Sequence, residues 1–218
     1  MNSQFTVVLD ESCASLADAV SQFASVFVFK RSGGFLAEPR LAAAELTAQL
    51  NDHGVSKPYL LVGASYAAFT QLLFSFQHPE TVAGVILVDP SHPMQGKKAL
   101  ARLEAEQVGA SIAIDRFRSM LRGSGSGWEE GCRQVSVVSS LGDIPLWVLA
   151  AGELEMPDEL PPGLREKLLH ERHDLLHDYC RLSSRGALKV VAGVGHDITR
   201  LAPSVVIDSI KQVIAANR

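Results

Sequence analysis

Short runs of apolar residues recur along the chain, and between them the apolar positions follow a helical spacing. The runs are nearly continuous rather than alternating, as expected for strands that are buried on both faces of a sheet. They cover residues 5–9, 25–29, 59–62, 85–88, 145–149 and 188–191. We predict that each run forms a strand.

The segments between these runs have the spacing and the punctuation of helices. Ala43, Leu46 and Leu50 fall on one helical face, with Pro39 near the start of that helix and Gly54 just past its end. Strands that alternate with helices indicate an α/β fold, in which a mostly parallel sheet has helices on both faces.

One interval, residues 91–144, interrupts this alternation. It contains helical patterns at 99–107 and 112–122, and we interpret it as a small helical cap inserted over the strand ends. Its Gly/Ser loop, residues 123–127, is predicted to be a mobile gate. The whole chain, 1–218, is predicted to be one domain that carries this cap.

Composition excludes several other classes of protein. The 218 residues include 20 Lys+Arg and 24 Asp+Glu, a net charge of -4 without a basic stripe, so nucleic acid is not an expected partner. We find no signal peptide and no apolar stretch near the ~18 residues that span a membrane. Three scattered cysteines suit a reducing compartment, so we expect a cytoplasmic protein. Its oligomeric state stays open.

The most informative segment joins a buried strand to a helix through small residues. After the strand at 59–62 come Gly63, Ala64, Ser65, Tyr66 and Ala67. This arrangement resembles a nucleophile elbow, G-x-S-x-G, in which a sharp turn presents the serine at its apex. Ala67 replaces the second glycine and adds one methyl group at a close contact.

On this motif the chain resembles the α/β-hydrolase family, and in particular its compact esterase-like members. Three further segments share the resemblance: residues 78–93 after the elbow helix, residues 190–214 near the end, and residues 29–39. The resemblance therefore covers nearly the whole chain apart from the insertion. It implies a serine nucleophile with a histidine base and a carboxylate.

The resemblance assigns these roles to particular residues. Ser65 is the expected nucleophile, and His196 matches the family's base, which must take the serine proton. The acid that orients the imidazole is expected after the strand at 145–149, where Glu155 is the first choice and Asp158 the second. Asp89, at the end of the preceding strand, is the third, because some members of the family use that strand end.

An oxyanion hole needs two N–H donors. The resemblance assigns them to the backbone amides of Tyr66, directly after the nucleophile, and of Ser12, in the loop after the first strand. That loop departs from the family pattern, because Asp10 and Glu11 stand where His-Gly is usual. Losing one such donor costs about 10²–10³ in turnover.

The expected function is that of a serine esterase, which cleaves a carboxylic ester or a related small acyl substrate through an acyl-enzyme. Cleavage of a thioester, a lactone or an amide by the same residues is a variant of this prediction. The alternative is a non-catalytic relative that binds a small apolar ligand or acts in signalling. No cofactor and no metal are expected; His170, His173 and His177 share a helix face without the H-E-x-x-H order of a zinc site.

Overall fold

A computed structural model describes residues 5–34, 37–122 and 126–217. In these residues the chain forms one sheet of six parallel strands, ordered β2-β1-β3-β4-β5-β6. The strands are β1 (Thr6–Asp10), β2 (Ser25–Phe29), β3 (Tyr59–Ala64), β4 (Val82–Val88), β5 (Leu146–Ala151) and β6 (Gly186–Val191). Each of the six predicted apolar runs therefore coincides with a strand, except that Phe5 and Pro145 lie one residue before β1 and β5, and the predicted α/β class is confirmed.

Helices cover both faces of this sheet. They are α1 (Ala17–Ser21), α2 (Pro39–Asp52), α3 (Ala67–Gln77), α4 (Gln95–Ala105), α5 (Ile112–Leu121), α6 (Ser126–Val135), α7 (Pro162–Cys180), α8 (Ile198–Leu201) and α9 (Pro203–Ala216). Short 3₁₀ turns cover Glu11–Leu16 and Pro79–Thr81. In the described part of the chain, no helix is long and apolar enough to cross a membrane.

Successive strand residues supply two separate apolar layers, since alternate side chains point to opposite faces. Val8 and Leu61 pack on the side of α2, α3 and α7. Leu9 and Val62 pack on the side of α9, with Val206 and Ile210. Strands buried on both faces explain why the apolar runs in the sequence are continuous rather than alternating.

The described part of the inserted interval contains three helices, which pack in two places. α4 and α5 form an apolar cluster with α7 through Leu103, Ile114, Phe117 and Leu168. α6 instead packs on the sheet side, where Trp128 meets the rings of α3. The mobile gate was predicted for residues 123–127, of which 123–125 lie outside the described residues, while Ser126 and Gly127 begin α6.

All six strands end at the same edge of the sheet, because they are parallel. The elbow follows β3, Asp89 follows β4, and the loop with His196 follows β6. β3 lies between β1 and β4, so the residues that end these two strands flank the elbow. This edge of the sheet therefore holds the candidate site.

Candidate active site

Ser65 occupies a strained turn between β3 and α3. Its φ of 55° lies in the left-handed region, which a residue with a side chain rarely adopts. The turn is held by hydrogen bonds from the Ser65 amide to the Val88 carbonyl (3.0 Å) and from the Ser91 amide to the Ser65 carbonyl (3.1 Å). Gly63 is required, since a Cβ there would lie 2.7 Å from Cγ of Gln71.

His196 links this serine to a carboxylate. Its Nε2 lies 3.1 Å from Oγ of Ser65, and its Nδ1 lies 2.6 Å from Oδ2 of Asp89. The imidazole side chain is 54 % exposed, so a substrate can reach it, whereas the Asp89 side chain is 1 % exposed. With Nδ1 protonated and bonded to Asp89, Nε2 is free to accept the serine proton.

Asp89 is held from several directions. Its Oδ1 accepts the backbone amide of Ala151 at 3.0 Å, and its Oδ2 also lies 2.9 Å from Nη2 of Arg172, on α7. Burial raises the pKa of Asp89, but the hydrogen bond from His196, the charge of Arg172 and the Ala151 amide together lower it below the ordinary value. Asp89 is thus an ionised carboxylate placed to stabilise an imidazolium.

A cleft of about 300 Å³ opens over these residues. Ser65, Asp89 and His196 line it together with Met120, Leu121 and Trp128 from the inserted interval, and further residues come from α7 and from the loop after β5. A smaller and mostly apolar pocket of about 120 Å³ adjoins it and shares Met120, Leu121 and Leu154 with it. The cleft can hold a small molecule against the serine.

Comparisons with known proteins concern the fold. No family model and no curated protein matches the sequence. A thermophilic esterase from Thermogutta terrifontis superposes with a TM-score of 0.58 at 14% identity, over 100% of this chain and 92% of that chain. A probable hydrolytic enzyme from Pseudomonas aeruginosa gives 0.61 at 15%, over 97% and 85%. A meta-cleavage product hydrolase from Pseudomonas fluorescens gives 0.57 at 12%, over 100% and 92%.

The chain has the α/β-hydrolase fold. In this chain the acid beside the histidine is not the first choice, Glu155. Asp89, the third choice, bonds Nδ1 of His196, so the prediction for Glu155 is corrected. Glu155 lies in the loop after β5 with an exposed side chain that lines the cleft. Asp158, the second choice, is fully exposed and pairs with Arg165.

The physical reason for this correction is burial. Asp89 directly follows β4, where the amide of Ala151 and the guanidinium of Arg172 replace the water that its carboxylate loses. Glu155 stands four residues beyond the end of β5, in an exposed loop. A rule based on spacing after a strand cannot weigh these environments.

The predicted oxyanion side of the candidate site also differs from expectation. The Ser12 amide, predicted as a donor, gives its hydrogen bond to Oδ1 of Asp10 at 2.9 Å, which caps the 3₁₀ turn Glu11–Leu16. The Ser12 hydroxyl accepts the amide of Ala64 at 3.2 Å. The amide that the resemblance assigns to the oxyanion hole therefore already donates its hydrogen bond to the Asp10 carboxylate.

The other predicted donor is the backbone amide of Tyr66, which precedes the first residue of α3. The Tyr66 side chain is buried beneath α6, where its hydroxyl donates to the Gly127 carbonyl at 3.0 Å and its ring meets Trp128. A Cβ at Gly131 would lie 2.0 Å from that hydroxyl oxygen. The side chain is thus fixed away from the cleft, and the oxyanion role of the amide stays a prediction.

Two arginines of the site, Arg172 and Arg31, were not predicted from the sequence. Arg172 reaches Asp89 from α7, and Arg31 makes ion pairs with Asp10 at 3.2 Å and with Glu11 at 3.3 Å. Both arginines are far along the chain from their partners, so no local sequence pattern links them. From the sequence alone, each would be taken for an ordinary surface residue. Within the described ranges, no group of three or more His, Cys, Asp or Glu side chains could hold a metal.

Proposed function

We propose that this α/β-hydrolase is a serine hydrolase that cleaves a carboxylic ester or a related small acyl compound. The observation that carries the proposal is the chain of contacts from Oγ of Ser65 through His196 to Asp89. These are the parts of a nucleophile, a base and an orienting acid, in hydrogen-bonding distance of one another. The esterase and the two hydrolases that share the fold are consistent with this chemistry.

In the first half-reaction, Oγ of Ser65 attacks the acyl carbonyl while Nε2 of His196 takes its proton. The imidazolium then gives this proton to the leaving alcohol, and the acyl group remains on Ser65. In the second half-reaction a water molecule gives a proton to His196 and attacks the acyl carbonyl. The bond to Oγ of Ser65 then breaks, the imidazolium returns the proton to Oγ, and the acid is released. Asp89 holds the Nδ1 proton and offsets the imidazolium charge throughout. These steps require no cofactor.

The arrangement of the cleft supports a small substrate. Its volume of about 300 Å³ is at the lower end of the range for sites that bind small molecules. The adjoining pocket, lined by Phe117, Leu154 and Leu168, offers apolar surface for part of the acyl or alcohol group. We therefore expect short esters to be better substrates than long-chain lipids.

Turnover of p-nitrophenyl acetate and p-nitrophenyl butyrate by the purified protein tests the proposal. We expect the wild type to hydrolyse both esters. Ser65→Ala and His196→Ala should each reduce kcat by up to about 10⁶-fold, because removing one residue of a catalytic unit costs about as much as removing all of them. Ser75→Ala is the matched control: Ser75 is a buried serine of α3, the helix that follows Ser65, and its hydroxyl donates to the Gln71 carbonyl at 2.7 Å. Full activity in Ser65→Ala would contradict the proposal.

The hydrogen bond between the Ser12 amide and Asp10 favours a second candidate function, a ligand-binding protein without turnover. In that case a small apolar ester would bind in the cleft and raise the melting temperature, because it binds only the folded state. No product would form, and Ser65→Ala would leave the increase in melting temperature unchanged. Measuring Tm and product release on the same samples separates the two candidates.

A further inference from the structure

A largely buried arginine on α7 contacts Asp89, the carboxylate beside His196. Nη2 of Arg172 lies 2.9 Å from Oδ2 of Asp89, the same oxygen that accepts Nδ1 of His196 at 2.6 Å. Nη1 of Arg172 donates to the side-chain oxygen of Gln95, at the start of α4, at 3.1 Å. The Arg172 side chain is only 13 % exposed, so little solvent screens its charge.

This position has two electrostatic consequences. A buried carboxylate needs compensation to remain ionised, and Arg172 supplies a full positive charge in addition to the Ala151 amide. The same charge opposes a proton on the neighbouring imidazole, because it cancels part of the negative field that Asp89 exerts on His196. Asp89 and His196 share a hydrogen bond, so the cation acts on the proton affinity of the pair as a whole.

We propose that Arg172 is a positioning residue that sets the proton affinity of the Asp89–His196 pair, so that His196 stays unprotonated and available as a base at lower pH. In its absence the pair would bind a proton more tightly, and the histidine would be protonated in a larger share of molecules near neutral pH. The effect on activity rests on the proposed function, whereas the effect on titration does not.

Other titratable groups near the pair stay constant in the test. Glu153 and Glu155 line the same cleft, Asp197 follows His196 in the chain and pairs with Arg200, and Nε2 of His173 lies 2.8 Å from the Ala151 carbonyl oxygen. Burial lowers the pKa of His92 to about 4, so this neighbour stays neutral above that pH. The arginine is therefore the cation in direct contact with Asp89.

An NMR titration of the imidazole signals tests the inference without relying on turnover. The His196 signals are assigned with His196→Gln, and the wild type is compared with Arg172→Met, Arg172→Gln and Arg172→Lys. We expect the midpoint of the titration of the pair, read from the His196 signals, to lie at higher pH in Arg172→Met and Arg172→Gln, because each loses the charge beside Asp89. Arg172→Lys should restore it towards the wild-type value. Arg172→Gln retains a hydrogen-bonding side chain and serves if Arg172→Met does not fold.

Arg102→Met is the matched control, since Arg102 lies on α4 and pairs with Glu171 on α7 without touching Asp89. It should leave the titration of His196 unchanged. An unchanged midpoint in both neutral variants, or an equal increase in Arg172→Lys, would overturn the inference and leave Arg172 with a structural role only.

The acidic limb of the pH profile of kcat/KM, which reports the free enzyme, gives the catalytic consequence. In Arg172→Gln this limb should move to higher pH together with the NMR titration. If the titration moves but no ester is hydrolysed by the wild type, the proposed function fails and the inference stands. If esters are hydrolysed but neither profile moves, the inference fails and the proposed function stands.

Discussion

Two buried Asp–Arg pairs flank the nucleophile strand. On one side Asp89, after β4, lies 2.9 Å from Arg172, and on the other Asp10, the last residue of β1, lies 3.2 Å from Arg31. Both carboxylates are almost completely buried, and both stand at the carboxyl ends of strands that neighbour β3 in the sheet. The sequence and the sheet thus build similar ion pairs on the two sides of Ser65.

The two pairs differ in their third partner. Asp89 receives the imidazole of His196, whereas Asp10 receives the backbone amide of Ser12 and shares its arginine with Glu11. Burial raises the pKa of Asp10, and Arg31 and the Ser12 hydrogen bonds offset only part of this increase, while the pKa of Asp89 is lowered. Burial beside an arginine is therefore not enough to identify a candidate triad acid. What distinguishes Asp89 from Asp10 is that its carboxylate contacts the imidazole of His196.

The largest expected difference between the two sides lies in turnover. Asp89→Asn should reduce kcat by about 10⁴-fold, because an amide can hold His196 in the wrong tautomer and cannot offset the imidazolium charge. Glu155→Gln, which changes a carboxylate in the same cleft, should reduce kcat less than about tenfold. Steady-state hydrolysis of p-nitrophenyl acetate by both variants measures this, and the opposite order of effects would return Glu155 to the triad.

The second prediction concerns stability on the β1 side. Arg31→Met leaves the Asp10 carboxylate buried without its cation, so the free energy of unfolding should fall by about 3–5 kcal/mol in urea denaturation. Arg181→Met removes an exposed arginine that pairs with Asp178, and it should change the free energy of unfolding by less than about 1 kcal/mol. Equal effects of the two substitutions would show that the Asp10–Arg31 pair is not a structural element.

The third prediction is that the contributions of Asp89 and Asp10 to the free energy of unfolding change with pH in opposite directions. The pKa of Asp89 is lowered in the folded state, so its stabilising contribution is present above the pKa of the unfolded chain and is lost as the pH falls through the folded value. The pKa of Asp10 is raised, so its contribution is present below the unfolded pKa and is lost as the pH rises through the folded value.

Unfolding free energies of the wild type, Asp89→Asn and Asp10→Asn, measured between about pH 3 and pH 6, check these signs. The advantage of the wild type over Asp89→Asn should shrink towards acid, and its advantage over Asp10→Asn should shrink towards neutral pH. Two profiles with the same slope would remove the proposed distinction between the carboxylates.

The smallest expected effect is that of Ser12→Ala. The Ser12 amide stays bonded to Asp10 in this variant, and only the hydroxyl that accepts the Ala64 amide is lost. We expect the free energy of unfolding to fall by about 0.5–1.5 kcal/mol and kcat to fall less than about tenfold. A loss of kcat of about 10²–10³ would instead mark the hydroxyl as an oxyanion donor.

Much of the fold was predictable because it depends on local patterns. Continuous apolar runs gave the strands, and Gly63 before Ser65 indicated a close turn that the structure requires. Ser65 and His196 were predicted together from the elbow and from a resemblance, and the structure places them 3.1 Å apart.

The acid and the arginines could not be predicted in the same way. β4 and β5 both end at the edge that holds the site, so strand order alone does not choose between Asp89 and Glu155. The choice depends on the Ala151 amide and on Arg172, which are brought to Asp89 by tertiary packing. The cap formed by Asp10 did leave a signal, since an aspartate before a helical turn commonly accepts the N2 or N3 amide.

Labelling with a fluorophosphonate, followed by peptide mass spectrometry, tests the central claim that Ser65, His196 and Asp89 act together. The probe needs an activated serine, and its adduct resembles the tetrahedral state of acyl transfer. The account predicts rapid modification of Ser65 in the wild type and in Glu155→Gln, and much slower modification in His196→Ala and Asp89→Asn. Folded wild-type protein that stays unmodified, or Asp89→Asn that reacts as fast as the wild type, would contradict it.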